Sequence, residues 1–141
     1  MAKDYDPNEV SLIIGSHIAG GFADGTFLTV ARNNDLFTLA VGASGEAARS
    51  KSNDRSGRFT LTLMQSSETN DILNGFAAAD ERGNAGKFPV LVKDNNGNAI
   101  YEATEAWVVK KPDSGYAKEI ENREWIIETG ELIHETGGIP A

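Results

Sequence analysis

The chain predicts a mainly β fold, an antiparallel β-sandwich or barrel with one α-helix packed against it. Three observations lead there. Apolar residues recur at every second position in several short runs. Turn pairs such as Asp24-Gly25 and the cluster Asp94-Asn-Asn-Gly-Asn98 separate those runs. Only one stretch, after Ser67, carries apolar residues at helical spacing.

Each element follows in chain order. Val10, Leu12 and Ile14 share one face of a first strand. Residues 26–32 and 36–41 are rich in β-branched and aromatic side chains, and Asn33-Asn-Asp35 lies between them, so the pair is expected as a hairpin. Residues 42–57 hold Gly, Ser, Ala and alternating charges without one large apolar side chain, so a long functional or mobile loop is expected there. Phe59, Leu61 and Leu63 point inward from the next strand, and Thr60 and Thr62 outward. The helix is expected over about residues 67–82. Ser66 or Ser67 can cap it, Ile72, Leu73, Phe76 and Ala79 form its stripe, and Gly83 suits a left-handed stop. Strands return at Phe88–Lys93 and at Ile100–Lys110, the latter with Tyr101, Ala103, Trp107 and Val109 on one face. Lys110-Lys-Pro-Asp-Ser-Gly115 breaks that strand. A last strand is expected over Arg123–Ile133, with Trp125 and Ile127 on one face, and a flexible tail over 136–141. The sum is about seven strands and one helix.

A chain of 141 residues suits one domain, residues 1–141, with its own core. It has no cysteine, so disulfides and thiolate metal sites are excluded. No apolar run approaches the ~18 residues of a membrane span. The opening Met-Ala-Lys-Asp-Tyr-Asp has no apolar core, so no secretory signal is expected. A net charge of −8 works against binding to a nucleic-acid backbone, which needs Lys and Arg to neutralise phosphates.

Catalytic groups are few, and no enzyme activity or cofactor is expected. His17 and His134 sit on strands without a second ligand at metal spacing. Gly42-Ala-Ser-Gly45 misses the nucleophile elbow by one residue and lacks the ending of a phosphate loop. Asp94, Asn96, Asn98 and Glu105 fall at calcium-loop positions. The glycine is misplaced, however, and strands flank the segment, so a plain hairpin turn is the better reading.

Charge is unevenly laid out. Residues 42–58, with Arg49, Lys51, Arg55 and Arg58 against Glu46 and Asp54, sum to +2. Residues 119–135 sum to −5. Both segments can be simply solvated. The functional reading is head-to-tail self-association, the basic loop of one copy meeting the acidic surface of another.

Six segments in order carry a resemblance. They are Tyr5-Asp-Pro-Asn-Glu-Val10, Gly21-Phe-Ala-Asp-Gly-Thr-Phe27, Arg49-Ser-Lys-Ser-Asn-Asp-Arg-Ser-Gly57, Leu61-Thr-Leu-Met-Gln-Ser-Ser67, Phe88-Pro-Val-Leu-Val-Lys-Asp94 and Arg123-Glu-Trp-Ile-Ile-Glu-Thr129. Together the chain resembles the tail tube proteins of phages with contractile tails. That resemblance implies a hexameric ring stacked into a hollow tube for DNA delivery. It implies strands joined across subunits, a surrounding tail sheath, and a tape-measure protein in the lumen. Baseplate and tail-terminator proteins would bound the tube, in a virion tail assembled in the host bacterial cytoplasm. Arg49, Lys51, Asn53, Asp54 and Arg55 match the loop that reaches the neighbouring ring. Thr60 and Thr62 become candidates for the lumen wall, and Asp71, Asn74, Asp80 and Arg82 for contact with the sheath. The inner tube of a phage-derived contraction machine, such as a tailocin or a type VI system, is an alternative. A monomeric β-sandwich binding module is a more distant one.

Overall fold

The structure, a computed structural model, describes residues 3–139. The strands are β1 (Val10–Ile14), β2 (His17–Ile18), β3 (Leu28–Arg32), β4 (Phe37–Val41), β5 (Ala47–Lys51), β6 (Gly57–Met64), β7 (Phe88–Asp94), β8 (Ile100–Lys110), β9 (Asn122–Thr129) and β10 (Ile133–Glu135). One α-helix, α1 (Thr69–Gly83), follows β6. Eight strands form one antiparallel sheet in the order β2-β1-β7-β8-β9-β6-β3, with β10 beside β8. Strands β4 and β5 form a separate two-stranded sheet.

The large sheet curls around one core. β1 and β3 lie near opposite ends of the strand order, yet Val10 of one and Leu28 and Val30 of the other line a single cleft. Phe59, Leu61 and Leu63 of β6 are buried as their alternation requires, and so are Leu12, Ile14, Val90, Val92, Trp125 and Ile127. Each such large side chain contributes about 1.5–3 kcal/mol on burial.

The helix lies against this core through Leu73, which is fully buried, and through Phe76, whose ring meets Phe88 at 4.5 Å. Its ends differ from the sequence expectation. Ser67 Oγ accepts from Thr69 N at 3.2 Å, but the residue that caps the helix is Glu68, with no side-chain cap. Gly83 remains helical, and Asn84 takes the left-handed conformation at φ 58°, which asparagine tolerates better than most residues.

Three strand assignments change. Residues 26–32 and 36–41 do not pair: β3 pairs with β6, Leu28 opposite Leu61 and Val30 opposite Phe59, while β4 pairs with β5. Burial decides this, because Leu28 and Val30 join the core and β4 is exposed throughout. Part of the segment 42–57 is therefore strand β5 and not loop, although it supplies nothing to the core. The stretch Arg123–Ile133 is divided at Gly130, and β10 crosses to pair with the start of β8.

A bulge alters the face of β8. Phe88 lies opposite Ala106 and Val90 opposite Ala103, so β8 holds one more residue than β7 over this step. The inward set shifts from Tyr101 and Ala103 to Ala106 and Val108, and Trp107 and Val109 turn away from the core. Of the tail, residues 136–139 have no regular structure, though Gly138 O accepts from Asn98 N at 3.1 Å; residues 140–141 lie outside the described residues.

Candidate functional site

The β4–β5 hairpin stands off the main sheet with every strand residue exposed. Its register places Phe37 opposite Lys51, Leu39 opposite Arg49 and Val41 opposite Ala47. Because side chains alternate, these six share one face, and Thr38, Ala40, Ala48 and Ser50 share the other. The guanidinium of Arg49 lies 4.0 Å from the centre of the Phe37 ring, a cation–π contact that orders both side chains.

Asp54 fixes the base of the hairpin. It accepts from Ser56 N at 2.9 Å and from the side-chain amide of Asn34. Hydrogen bonds from the Ser56 backbone, the Ser56 hydroxyl and Asn34 favour the charged form, so its carboxyl titrates below the usual 3.8. Arg55 runs beside Glu131, and its carbonyl accepts from Leu132 N at 2.8 Å, which ties the returning segment to the start of β10. Asn53 is exposed just before these two anchors.

The sequence-selected residues thus split in role. Arg49 and Lys51 project from the hairpin, whereas Asp54 and the backbone of Arg55 hold its base. Among the described residues, Arg49, Lys51 and Arg55 enter no salt bridge. Arg58, by contrast, reaches Glu128 of its own chain at 3.5 Å. Part of the basic-to-acidic complementarity is therefore met within one copy.

Thr60 and Thr62 are half-exposed on the face of β6 opposite the core. Thr29 and Ile126 flank Thr60, and Glu124 flanks Thr62, so β3, β6 and β9 together present a mostly polar face. On α1, Asp71, Asn74 and Arg82 are exposed. Asp80 is partly buried and accepts from Gly86 N at 2.8 Å, so it closes the loop after the helix and is less free to face a partner.

Sequence reasoning missed the apolar half of the hairpin. Residues 36–41 read simply as the second strand of a hairpin, and nothing in that reading singled out Leu36, Phe37, Leu39 and Val41, all of which are exposed. The available signal was the adjacent segment, which offers no apolar partner to bury them.

Comparison with known proteins fits this geometry. The family described as Bacteriophage PhiTE tail tube protein matches residues 12–137. Structural protein ORF10 of Pseudomonas phage KPP10 is 32% identical over 142 residues, covering 95% of this chain and 82% of that relative. Similar solved structures include the sheath/tube terminator of an extracellular contractile injection system, PVC, in its extended state. It has a TM-score of 0.64 at 12% identity, covering 96% of this chain and 99% of that one. The tube-terminating cap of the anti-feeding prophage has a TM-score of 0.58 at 10% identity, covering 96% and 95%. A chain of the PVC sheath-tube complex has 0.56 at 11%, covering 94% and 91%. These structural likenesses establish a shared fold, and the family match extends over nearly the whole chain. The chain belongs to the bacteriophage PhiTE tail tube protein family and is a structural subunit of a phage tail tube.

Proposed function

We propose that this subunit closes into hexameric rings, and that the rings stack into a hollow conduit for DNA inside a contractile sheath. The observation that carries the reading is the β4–β5 hairpin, which leaves the domain with every strand residue exposed and buries nothing at home. Such a projection makes sense only against another surface. The main sheet also ends in two edges, β2 and β3, and a ring of copies would pair or cover them.

The face of Thr60 and Thr62 is assigned to the lumen. It is mostly polar, it carries Glu124, and the chain has a net charge of −8, so DNA phosphates meet little that attracts them. The exposed side chains Asp71, Asn74 and Arg82 of α1 are assigned to the sheath, with Asp80 held in reserve by its bond to Gly86. Tape-measure, baseplate and tail-terminator proteins complete the partners, and assembly takes place in the host cytoplasm before the subunit takes its place in the virion tail. The role is structural and not catalytic.

A second reading keeps the subunit and changes the machine. The similar folds belong to contractile injection systems, which favours an inner tube of a phage-derived device as the alternative. Neighbouring capsid and terminase genes would select the phage. The first experiment is negative-stain electron microscopy of concentrated protein at low and high salt. Rings or hollow tubes support the proposal, and a fall in their number with salt supports charge-assisted stacking. A monodisperse monomer that binds a small ligand would replace it with the binding-module reading.

A further inference from the structure

The chain carries both an exposed apolar hairpin face and an open cleft on the main sheet. The hairpin face bearing Phe37, Leu39 and Val41 leaves these side chains 39%, 68% and 62% exposed. A lone two-stranded sheet is only marginally stable in water, and an exposed apolar face on it needs a partner. The cleft has a volume of about 380 Å³. Val10, Leu28, Val30 and Val92 line it, with Tyr5 and Tyr101. Its lining contains one charged residue, Asp94, and no basic one. Among the described residues Asp94 enters no salt bridge, and Asn96 is its hydrogen-bond donor.

We infer that the apolar face of the hairpin of one copy docks into this cleft of a second copy, with Arg49 or Lys51 directed at Asp94. The inference rests on the self-association proposed above and names its two faces. Three observations support it. The apolar residues of the hairpin match the valine-rich lining, and the two cations interleaved with them match a lining whose single charge is negative. The hairpin does not fill its own cleft, since its apolar residues are exposed and none lines it. Finally, the two surfaces share no residue, so each copy that offers a hairpin still offers a cleft. Such a heterologous contact propagates from copy to copy and does not stop at a dimer. Apolar burial supplies most of the adhesion, and the ion pair sets register. This adds an apolar contact to the sequence expectation that the basic loop of one copy meets the acidic surface of another.

The test uses the absence of native cysteine. Thr26 lies exposed on the cleft lining and Leu39 on the hairpin, so neither substitution disturbs the core. A Thr26→Cys, Leu39→Cys double variant, oxidised under assembly conditions, is expected to give a ladder of covalent multimers on a non-reducing gel. Neither single variant should give one. A Leu39→Ser, Val41→Ser variant should form about tenfold fewer tubes at both low and high salt, with unchanged circular dichroism. Dimers from Leu39→Cys alone, as abundant as the products of the double variant, would show hairpin meeting hairpin and overturn the inference. So would wild-type tube yield from the serine variant. Failure of the wild-type protein to assemble at all would instead remove the proposed function beneath it.

Discussion

Trp125 donates its indole N–H to the side-chain carbonyl of Asn70 at 2.8 Å, and both residues are buried. The bond joins β9 in the core to the first turn of α1. Asn70 also donates its amide to Met64 O at 3.0 Å and to Ser67 O at 3.1 Å, so one side chain holds the chain between β6 and the helix. Trp125→Phe leaves the Asn70 carbonyl without its donor inside the protein. A loss of about 1–3 kcal/mol is expected, read as a lower urea midpoint at unchanged slope. Asn70→Ala removes both of these donations and the acceptor and should cost at least as much.

Gly57 opens β6 and is buried against Leu132. A Cβ there would collide with the Leu132 side chain and approach Ala31 O to 3.1 Å. Gly57→Ala should therefore destabilise by about 1–3 kcal/mol through overpacking. Adding Leu132→Ala removes the nearest clashing atom, Cδ2, but leaves Cβ at 2.8 Å, so the double variant should lose less than the sum of the two single losses without regaining wild-type stability, a coupling measurable by denaturation.

Some of this was legible in the sequence, and the pattern of success has a physical reason. β1, β6 and β9 bury one face, so their alternation grouped the buried residues, Leu12 with Ile14, Phe59 with Leu61 and Leu63, and Trp125 with Ile127. Pairing was legible only where a tight turn announced it, as at residues 94–98 between β7 and β8. The choice of β6 over β4 as the partner of β3 depends on Leu28 and Val30 meeting Leu61 and Phe59, a contact between segments far apart in sequence. β5 was hidden because Ala-Ala-Arg-Ser-Lys has little strand propensity and is held by its ladder to β4. The bulge in β8 moved the inward face from Tyr101 and Ala103 to Ala106 and Val108, and no composition signal marks it. At the site, charge named Arg49 and Lys51, but alternation in Phe37, Leu39 and Val41 reads the same whether the face meets its own core or another chain.

The base of the hairpin should loosen in acid. Asp54 titrates below 3.8 in the folded chain, so its contribution is fully present above that pH and is lost as pH falls through the lower folded value. The Ser56 amide should exchange faster with solvent over that range, while amides of β6 hold. Asp54→Asn should remove the pH step. A Ser56 amide whose protection is flat down to the acid unfolding of the whole domain would count against the role.

Arg49 and Arg55 carry positive charge at and below the hairpin, free of salt bridges among the described residues. If their field helps one ring meet the next, Arg49→Gln with Arg55→Gln should shorten tubes and flatten their salt dependence, while the monomer keeps its melting temperature. Full-length tubes with unchanged salt dependence would assign those charges to solvation alone.

The last prediction concerns which face of the sheet meets the lumen. Thr62 is half-exposed, stands opposite Glu124, and lies on the side of β6 away from Phe59, Leu61 and Leu63. Both of its backbone groups are engaged by the segment before β3, the N–H donating to Phe27 O at 2.9 Å and the carbonyl accepting from Ala23 N at 3.1 Å, so its orientation is fixed. Thr62→Cys introduces a single thiol into a cysteine-free chain without touching the core. In the free subunit that thiol should react readily with a bulky maleimide. In assembled tube a lumenal thiol should react much more slowly with the bulky reagent than with a small one, because the large molecule must enter from the tube ends. An outward thiol would label at the same rate before and after assembly, which would place the threonine face of β6 on the exterior.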